Sequence, residues 1–191
     1  FFPHVVMPLL IFEPRYRKMI FDVLSSHCLF AVAGLDKKAA ASEPSSEPLY
    51  QTASIGIVRA CYGNKDGTSK LFLQGLCRIQ IDRIVQENPY RLIAITPVQN
   101  HYQQVDDDLD PYRRKLLGLL EELGKLGDEF YLQLMKSLEM VKNAEVFIDL
   151  AADSFQIDPI DKQRLLEIFD TKARYQFLIS KIECIQTKKK K

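Results

Sequence analysis

The chain has 191 residues, of which 47% are hydrophobic and 27% are charged, and its formal net charge is +1. This composition is typical of globular proteins, and the length suits one domain or two small ones. The near-zero net charge argues against general nucleic-acid binding, and no apolar run is long enough to cross a membrane. Cys28, Cys61, Cys77 and Cys184 form no Cys-x-x-Cys pair, so we expect reduced thiols and a cytoplasmic location.

The first predicted elements are a strand and a helix that meet at Pro14. Pro3 and Pro8 interrupt the apolar residues before it, which favours an edge strand over a central one. Pro14 suits the first helical position, because that position needs no main-chain donor. An apolar stripe at i, i+3, i+4, i+7 and i+8 from Tyr16 then predicts an amphipathic helix that ends near Ser25.

A strand over Cys28–Ala33 comes next, followed by a polar stretch and a largely β region. Residues 36–52 contain many Ala, Ser, Glu and Pro residues, which predict an irregular surface loop. Alternating apolar residues between 54 and 97 predict short antiparallel strands, with a hairpin turn at Asp66-Gly67. Gly56 and Gly75 interrupt strands, as glycines do at bulges and corners where a sheet curls. The region therefore predicts a small barrel.

The second half of the chain predicts helices. Asp110-Pro111 and Asp158-Pro159 each combine an N-cap residue with a proline suited to the first helical position. Gly124 and Gly127 end the first helix, and further helical segments cover 128–140, 144–153, 158–169 and 171–186. Strands followed by helices indicate an α+β fold, with a sheet lobe over 1–105 and a helical lobe over 106–191.

No pattern of a catalytic, cofactor or metal site is found in the sequence. It has no phosphate-binding loop, no dinucleotide fingerprint and no zinc-ligand spacing, and His4, His27 and His101 are far apart. Residues 106–108 with Asp110 lack the alternating spacing of a hard-cation loop, and an acidic lead-in to a helix explains them better. The residues on their own therefore indicate no enzyme class and no cofactor, and an enzyme of unknown type is the least favoured hypothesis.

Several short motifs occur together along the chain. They are Phe2-Pro3-His4-Val5-Val6-Met7-Pro8-Leu9, Ile11-Phe12-Glu13-Pro14-Arg15-Tyr16-Arg17, Ile55-Gly56-Ile57-Val58, Asp66-Gly67-Thr68 and Gly75-Leu76-Cys77-Arg78-Ile79-Gln80-Ile81. In this combination they resemble the Lon protease N-terminal (substrate-binding) domain family, in particular its stand-alone bacterial members and the Lon-like domains joined to RING modules. Residues 158–166 and Lys172-Ala173-Arg174-Tyr175 are similar to its helical half, although Tyr175 stands where leucine is usual.

The resemblance implies a PUA-like barrel of about six strands with one inserted helix, followed by a helical bundle. In full-length Lon proteases this region is thought to recognise unfolded or degron-bearing polypeptides and to help assemble the hexamer. The ATPase and the Ser-Lys peptidase lie downstream, so this chain is expected to bind polypeptides without catalysis. A protease or another protein is an expected partner, self-association stays open, and the lysines at 188–191 favour a stand-alone protein.

Two other binding functions stay open. Binding of RNA would require an exposed basic face, and the local basic residues are Arg59, Lys65, Lys70, Arg78 and Arg83. Binding of a small molecule would require a pocket in the barrel, in the helical lobe or between them. The near-neutral charge argues against RNA, and no cluster of residues indicates a particular small-molecule ligand.

The family-motif residues are expected to act mainly in the structure. They are Glu13, Pro14, Arg15, Tyr16, Gly56, Gly75 and Arg78. The two glycines are interpreted as backbone geometry. Arg78, like Arg83, is interpreted as a partner in salt bridges at the rim of the barrel, with a ligand contact as the less favoured alternative. Arg15 is expected to face solvent or to pair with Glu13. The sequence does not locate the residues that bind a peptide.

Overall fold

The computed structural model describes residues 1–42, 47–98, 109–124, 129–155 and 157–189. They belong to two compact units, Phe1–Gln99 and Asn100–Lys191. The described part of the first unit contains a β-sheet and two helices, and that of the second contains five helices. The predicted α+β fold, with strands first and helices second, is confirmed. The predicted domain boundary between 105 and 106 lies outside the described residues.

Five antiparallel strands form the sheet within the described residues. They are β1 (Val6–Ile11), β2 (Leu29–Val32), β3 (Thr52–Gly63), β4 (Ser69–Gln86) and β5 (Leu92–Pro97). Their order is β1-β4-β3-β2, and β5 pairs with β4 beyond β1. β1 and β2 are therefore the two opposite edges of this order.

β4 is the strand on which the sheet depends, because β1, β3 and β5 all pair with it. Its pairing with β3 shifts register between Ile55 and Gly56, where Gly56 comes to face Gly75. The same pairing shifts register again between Val58 and Ala60, and the pairing of β4 with β5 shifts register twice. Bulges of this kind bend and twist the strands that carry them, which lets the sheet curl around its apolar face.

The hairpin between β3 and β4 forms at the predicted Asp66-Gly67 turn. Gly67 has a positive φ of 81°, a conformation that glycine adopts without a steric penalty. The main-chain N–H of Thr68 donates to the Asp66 carboxylate at 2.9 Å, and the Thr68 hydroxyl donates to it at 2.8 Å. These hydrogen bonds, the main-chain one first, lower the pKa of Asp66 below its ordinary value.

α1 (Pro14–Leu24) begins at Pro14, as predicted, and packs against the sheet through part of its apolar stripe. Ile20 joins Ile11, Leu71 and Leu73 in one core cluster, and a second cluster forms around Ala53, Ile79 and Ile81. Tyr16 and Leu24, although they belong to the predicted stripe, are exposed. The apolar face of α1 is therefore only partly covered.

The prediction of an irregular loop over 36–52 is wrong for its first part. Lys37–Ser42 form a short helix, α2, and the main-chain N–H of Ala39 donates to the Asp36 carboxylate at 3.1 Å. A carboxylate in this position satisfies a donor that the first helical turn leaves free, which explains why a short alanine-rich segment is helical. After residues 43–46, which lie outside the described part, Leu49 forms a β-bridge with Leu35.

The second unit consists, in its described part, of α3 (Asp110–Gly124), α4 (Glu129–Glu139), α5 (Ala144–Ser154), α6 (Pro159–Glu167) and α7 (Thr171–Lys189). The predicted cap of α6 is confirmed, because the Asp158 side chain accepts from the main-chain N–H of Ile160. α3 begins one residue earlier than predicted, at Asp110 itself. Gly124 ends this helix as predicted, whereas the predicted stop at 127 lies outside the described residues.

A buried ion pair and a ring stack connect α5 and α7. The Arg174 guanidinium donates to Asp149 at 2.7 Å, and the side chains of both residues are 1% exposed. The Tyr175 and Phe147 rings stack with centroids 5.9 Å apart, and the Tyr175 hydroxyl donates to the Ala144 carbonyl at 3.0 Å. Tyr175 thus combines ring packing with a buried hydrogen bond that leucine could not make.

Candidate functional site

The first unit contains an open cleft between the two edges of the sheet, with a volume of about 630 Å³. One wall is the end of β1 with the start of α1, over residues 9–19, and the other is β2 with the chain that follows it, over 30–35. The lining is completed by Glu47, Leu49, Ile93 of β5 and the turn that joins β4 to β5. We call this feature the β1–β2 cleft.

The lining of the β1–β2 cleft is largely apolar, and several of its side chains are unusually exposed for their type. Leu10, Phe12, Tyr16 and Leu35 are between 36% and 60% exposed and lie together in this lining, whereas other exposed apolar side chains of the unit, such as Phe21, lie outside it. A group of exposed apolar side chains around one concave surface is typical of a binding site.

Ion pairs border the cleft. The Arg91 guanidinium contacts the Glu87 carboxylate at 2.8 Å and the Glu47 carboxylate at 3.6 Å, and it donates to the Glu47 carbonyl at 2.9 Å. On the opposite wall, Arg15 contacts Glu13 at 2.9 Å and lies over the Tyr16 ring at 4.7 Å. The hydrogen bond to Glu13 raises the pKa of Arg15, which stays positively charged.

A hydrogen-bonded chain fixes α1 beside the β4–β5 turn. The Tyr90 hydroxyl donates to Asp22 at 2.8 Å, and Lys18 donates to the same carboxylate at 2.7 Å. The bonds from Lys18 and then Tyr90 lower the pKa of Asp22, and the Asp22 carboxylate raises the pKa of Tyr90. Tyr90 therefore stays protonated and donates to Asp22. This hydrogen bond connects α1 to the β4–β5 turn, and both contribute to the lining of the cleft.

Three of the seven family-motif residues line the cleft. Glu13, Arg15 and Tyr16 belong to its lining, and Pro14 between them occupies the first position of α1. The expected pairing of Arg15 with Glu13 is present. The structure therefore brings one short motif into the cleft and places the other three residues elsewhere in the sheet.

Gly75 and Gly56 lie where the main chain is crowded. A Cβ on Gly75 would come within 2.3 Å of the Phe2 carbonyl oxygen and 2.9 Å of the Pro3 Cα. The main-chain N–H of His4 donates to the Gly75 carbonyl at 2.9 Å, which holds the N-terminal segment against β4. A Cβ on Gly56 would approach the Leu73 side chain at 2.6 Å.

Arg78 is not at the rim of the sheet, which corrects the expectation of a rim salt bridge. Its side chain is buried, with the residue only 1% exposed, and it lies on β4 opposite Ser54 of β3. The Ser54 hydroxyl donates to the Phe1 carbonyl at 2.9 Å, so this buried polar region lies beneath the N-terminal segment. The sequence did not predict this burial, because the alternation of apolar and polar residues along a strand does not indicate that an arginine such as Arg78 points into the interior.

The basic residues considered for RNA binding are not all exposed. Arg78 is buried, and the Arg59 side chain donates to Gln74 at 2.6 Å. Lys65, Lys70 and Arg83 are exposed at different points along β4 and the hairpin before it. No described feature gathers them around a groove.

Sequence reasoning missed the residues of the second wall and of the turn. Leu35, Leu49 and Arg91 are far apart in the chain and carry no motif. The available signal was weak: Leu35 and Leu49 are the apolar residues that flank the polar stretch over 36–48. Their β-bridge brings both ends of that stretch to the cleft.

The cysteines and the acidic residues suggest no further chemistry. All four cysteines are free; Cys28, Cys61 and Cys77 are half-buried, and burial raises the pKa of the Cys77 thiol. Within the described residues, no group of His, Cys, Asp and Glu side chains could hold a metal ion. None of the described helices has the length and apolarity that a membrane span requires.

Comparison with known proteins gives consistent matches. The sequence profile of the ATP-dependent protease La (LON) substrate-binding domain matches residues 1–183. Lon protease of Dictyoglomus thermophilum is 23% identical over 175 residues, which cover 92% of this chain and 22% of that protein. Lon protease of Buchnera aphidicola subsp. Schizaphis graminum is 27% identical over 190 residues, which cover 95% and 23%. The chain thus spans less than a quarter of the length of these relatives.

Two solved structures share the fold. The N-terminal domain of Mycobacterium avium complex Lon protease superimposes with a TM-score of 0.72 at 16% identity, covering 95% of this chain and 91% of that one. A Lon N-terminal domain protein from Xanthomonas campestris superimposes with a TM-score of 0.67 at 15% identity, covering 94% and 90%. At such identities the likeness concerns the fold alone.

Proposed function

Since this chain belongs to the ATP-dependent protease La (LON) substrate-binding domain family, we propose that it binds unfolded polypeptides in the β1–β2 cleft without catalysing a reaction. The observation that carries the proposal is the exposed apolar lining of the cleft. Unfolded chains differ from folded ones in presenting apolar side chains, and burying them in such a cleft is favourable in water. The resemblance found in the sequence is confirmed at the level of the family.

The motif residues receive two kinds of role in this proposal. Glu13, Arg15 and Tyr16 shape one wall of the cleft, and Pro14 sets the start of the helix that carries them. Gly56, Gly75 and Arg78 maintain the curled sheet on which the cleft depends. Binding is assigned to the sheet lobe over 1–105, and the helical lobe over 106–191 is not required to contact the polypeptide.

The experiment compares two phenylalanines of similar exposure. Phe12 is 60% exposed and lines the cleft, whereas Phe21 is 68% exposed on α1 and does not belong to the lining. The probe is a fluorescently labelled globular protein, reduced and S-alkylated so that it cannot refold, and the readout is its anisotropy. We expect Phe12→Ser to weaken binding about tenfold and Phe21→Ser to change it by less than about twofold.

Both side chains are largely exposed, so neither substitution should unfold the protein, which thermal melting checks. Wild-type protein that does not bind the probe at high micromolar concentration would contradict the proposed function. Equal effects of the two substitutions would contradict the assignment of binding to the cleft.

A small apolar molecule is the second candidate occupant. The volume of about 630 Å³ falls within the usual range of small-molecule sites. A compound that saturates the cleft and leaves polypeptide binding unchanged would favour this function over the first. RNA is not supported in the same way, because Arg78 is buried and Arg59 is bonded to Gln74.

A protein partner follows from the same proposal. The relatives are proteases, and the chain matches less than a quarter of their length. We infer that a polypeptide held in the cleft is passed to a protease or to another protein. Co-purification from the native host is the direct measurement of that partner.

A further inference from the structure

The β1–β2 cleft runs along the edge of a strand. Four consecutive residues, Phe30 to Ala33, line it on one wall. Successive side chains of a strand point to opposite faces of the sheet, so a feature on one face would contact only every second residue. A cleft that contacts all four lies beside the strand, where the main chain is accessible.

The outward main-chain groups of β2 belong to the odd-numbered residues. The Cys28 carbonyl accepts from Val58 at 2.8 Å, the Gly34 carbonyl accepts from Tyr50 at 2.9 Å, and the N–H of Asp36 donates to Pro48 at 2.8 Å. Even-numbered residues therefore bond toward β3 and the chain that precedes it. In an antiparallel pair the alternate residues point the other way, which places the N–H and C=O of Ala31 and Ala33 on the cleft side.

This edge has no strand beside it within the described residues, because β2 ends the strand order and pairs with β3. The N–H of Leu29 is satisfied by the His27 side chain at 3.1 Å. Ala31 and Ala33 come next along the edge, and their small side chains leave the main chain open to approach. An unpaired strand edge is a template for another extended chain.

The charges of the cleft select among possible occupants. Its lining includes the carboxylates of Glu13, Glu47 and Glu87 and the guanidinium groups of Arg15 and Arg91, one more acid than base. Each carboxylate already contacts an arginine. An apolar segment with basic flanks complements this rim, whereas an acidic segment would meet a net negative border.

We propose that the cleft captures an apolar segment in extended form, which adds to β2 as a further strand through the main-chain groups of Ala31 and Ala33. This inference rests on the proposed function and specifies how the polypeptide is held. Main-chain pairing supplies affinity that does not depend on sequence, and the apolar lining selects for uncharged side chains. A protein that binds unfolded chains of many sequences needs both properties.

The test uses a synthetic peptide of about eight residues, in which Val and Thr alternate between lysine ends, as probe for the full chain. Two isomers carry N-methyl groups on alternate residues, one on the odd set and the other on the even set. A strand added to a single edge presents only one of these sets to β2. We expect one isomer to bind at least about tenfold more weakly than the parent peptide and the other to bind within about threefold.

Isomers that bind equally, whether both like the parent or both more weakly, would overturn strand addition while the proposed function stands. A parent peptide that does not bind, although the unfolded protein does, would also overturn it, whereas failure of both probes would refute the proposed function itself. Ala31→Pro removes one cleft-side donor and should weaken the parent peptide about fivefold. The two isomers decide the question even if this variant does not fold.

Discussion

Gly75 shows at the scale of one residue why the sheet needs a glycine. The Phe2 carbonyl and the Pro3 Cα occupy the space where a side chain would begin. We expect Gly75→Ala to lower the free energy of unfolding by about 1–3 kcal/mol, because the added methyl group must push the N-terminal segment off β4. Urea denaturation followed by circular dichroism measures the change.

Gly63→Ala is the matched control for this prediction. Gly63 ends β3 in the same sheet, and a Cβ built on it meets no atom within 4 Å. Its substitution should alter the free energy of unfolding by less than about 0.5 kcal/mol. If the two variants lost stability equally, the contact with Phe2 would not be the reason that Gly75 is a glycine.

At the scale of elements, α5 and α7 depend on a buried ion pair. Arg174 contacts Asp149 at 2.7 Å and Glu145 at 3.2 Å, and little of any of the three side chains reaches solvent. Removal of one partner from a buried ion pair is strongly destabilising, although Glu145 would still compensate part of the Arg174 charge. We expect the pair to select which faces of the two helices meet.

Asp149→Asn tests the importance of this pair. We expect it to lower the free energy of unfolding by about 3 kcal/mol, the low end of the range for a broken buried pair, because the buried guanidinium loses Asp149 and keeps Glu145. Glu183→Gln breaks the exposed pair that Lys115 forms with Glu183 at 2.7 Å, and it should cost less than about 1 kcal/mol. Chemical denaturation of both variants gives the comparison, and a small loss for Asp149→Asn would argue against the pair as a determinant of packing.

At the scale of the whole molecule, the charge is nearly balanced, with 26 basic and 25 acidic residues. Association with a polyanion releases counterions and is therefore strongly weakened by salt, by about a thousandfold or more between 50 and 200 mM for six to ten phosphate contacts. The apolar binding that we propose for the β1–β2 cleft would involve no such release.

We therefore expect the affinity for an unfolded polypeptide to change by less than about threefold across about 50 to 200 mM salt. Fluorescence anisotropy at a series of salt concentrations measures this dependence. Single-stranded RNA titrated under the same conditions provides the comparison. A steep decline of polypeptide affinity with salt would show that charges, and not the apolar lining, dominate the interaction.

Local signals in the sequence predicted much of the fold. The Asp66-Gly67 turn, the start of α1 at Pro14 and the Asp158 cap are all present, because each depends on the main-chain preferences of neighbouring residues. α2 was missed, because its alanines lie in a stretch whose composition is typical of a loop and because its first turn depends on the Asp36 carboxylate.

The β1–β2 cleft could not be predicted from the sequence, for a different reason. Phe12, Ala31 and Arg91 lie in separate parts of the chain. They come to one place only because β1 and β5 pair with β4, β4 pairs with β3, and β3 pairs with β2. The inward position of Arg78 was likewise hidden, because burial of an arginine depends on the polar groups that surround it and not on strand periodicity.

The dependence of the sheet on β4 has a consequence for the growing chain on the ribosome. β1 is synthesised first, yet its partners, Ser69–Gln74, follow more than fifty residues later. Fewer residues separate β2 from its partner β3, and only the hairpin turn separates β3 from β4. Among the described strands, Val6–Ile11 therefore stays without its partner longest, as an apolar segment open to wrong pairing. Pro8 within it removes one main-chain donor and protects the nascent strand during that interval.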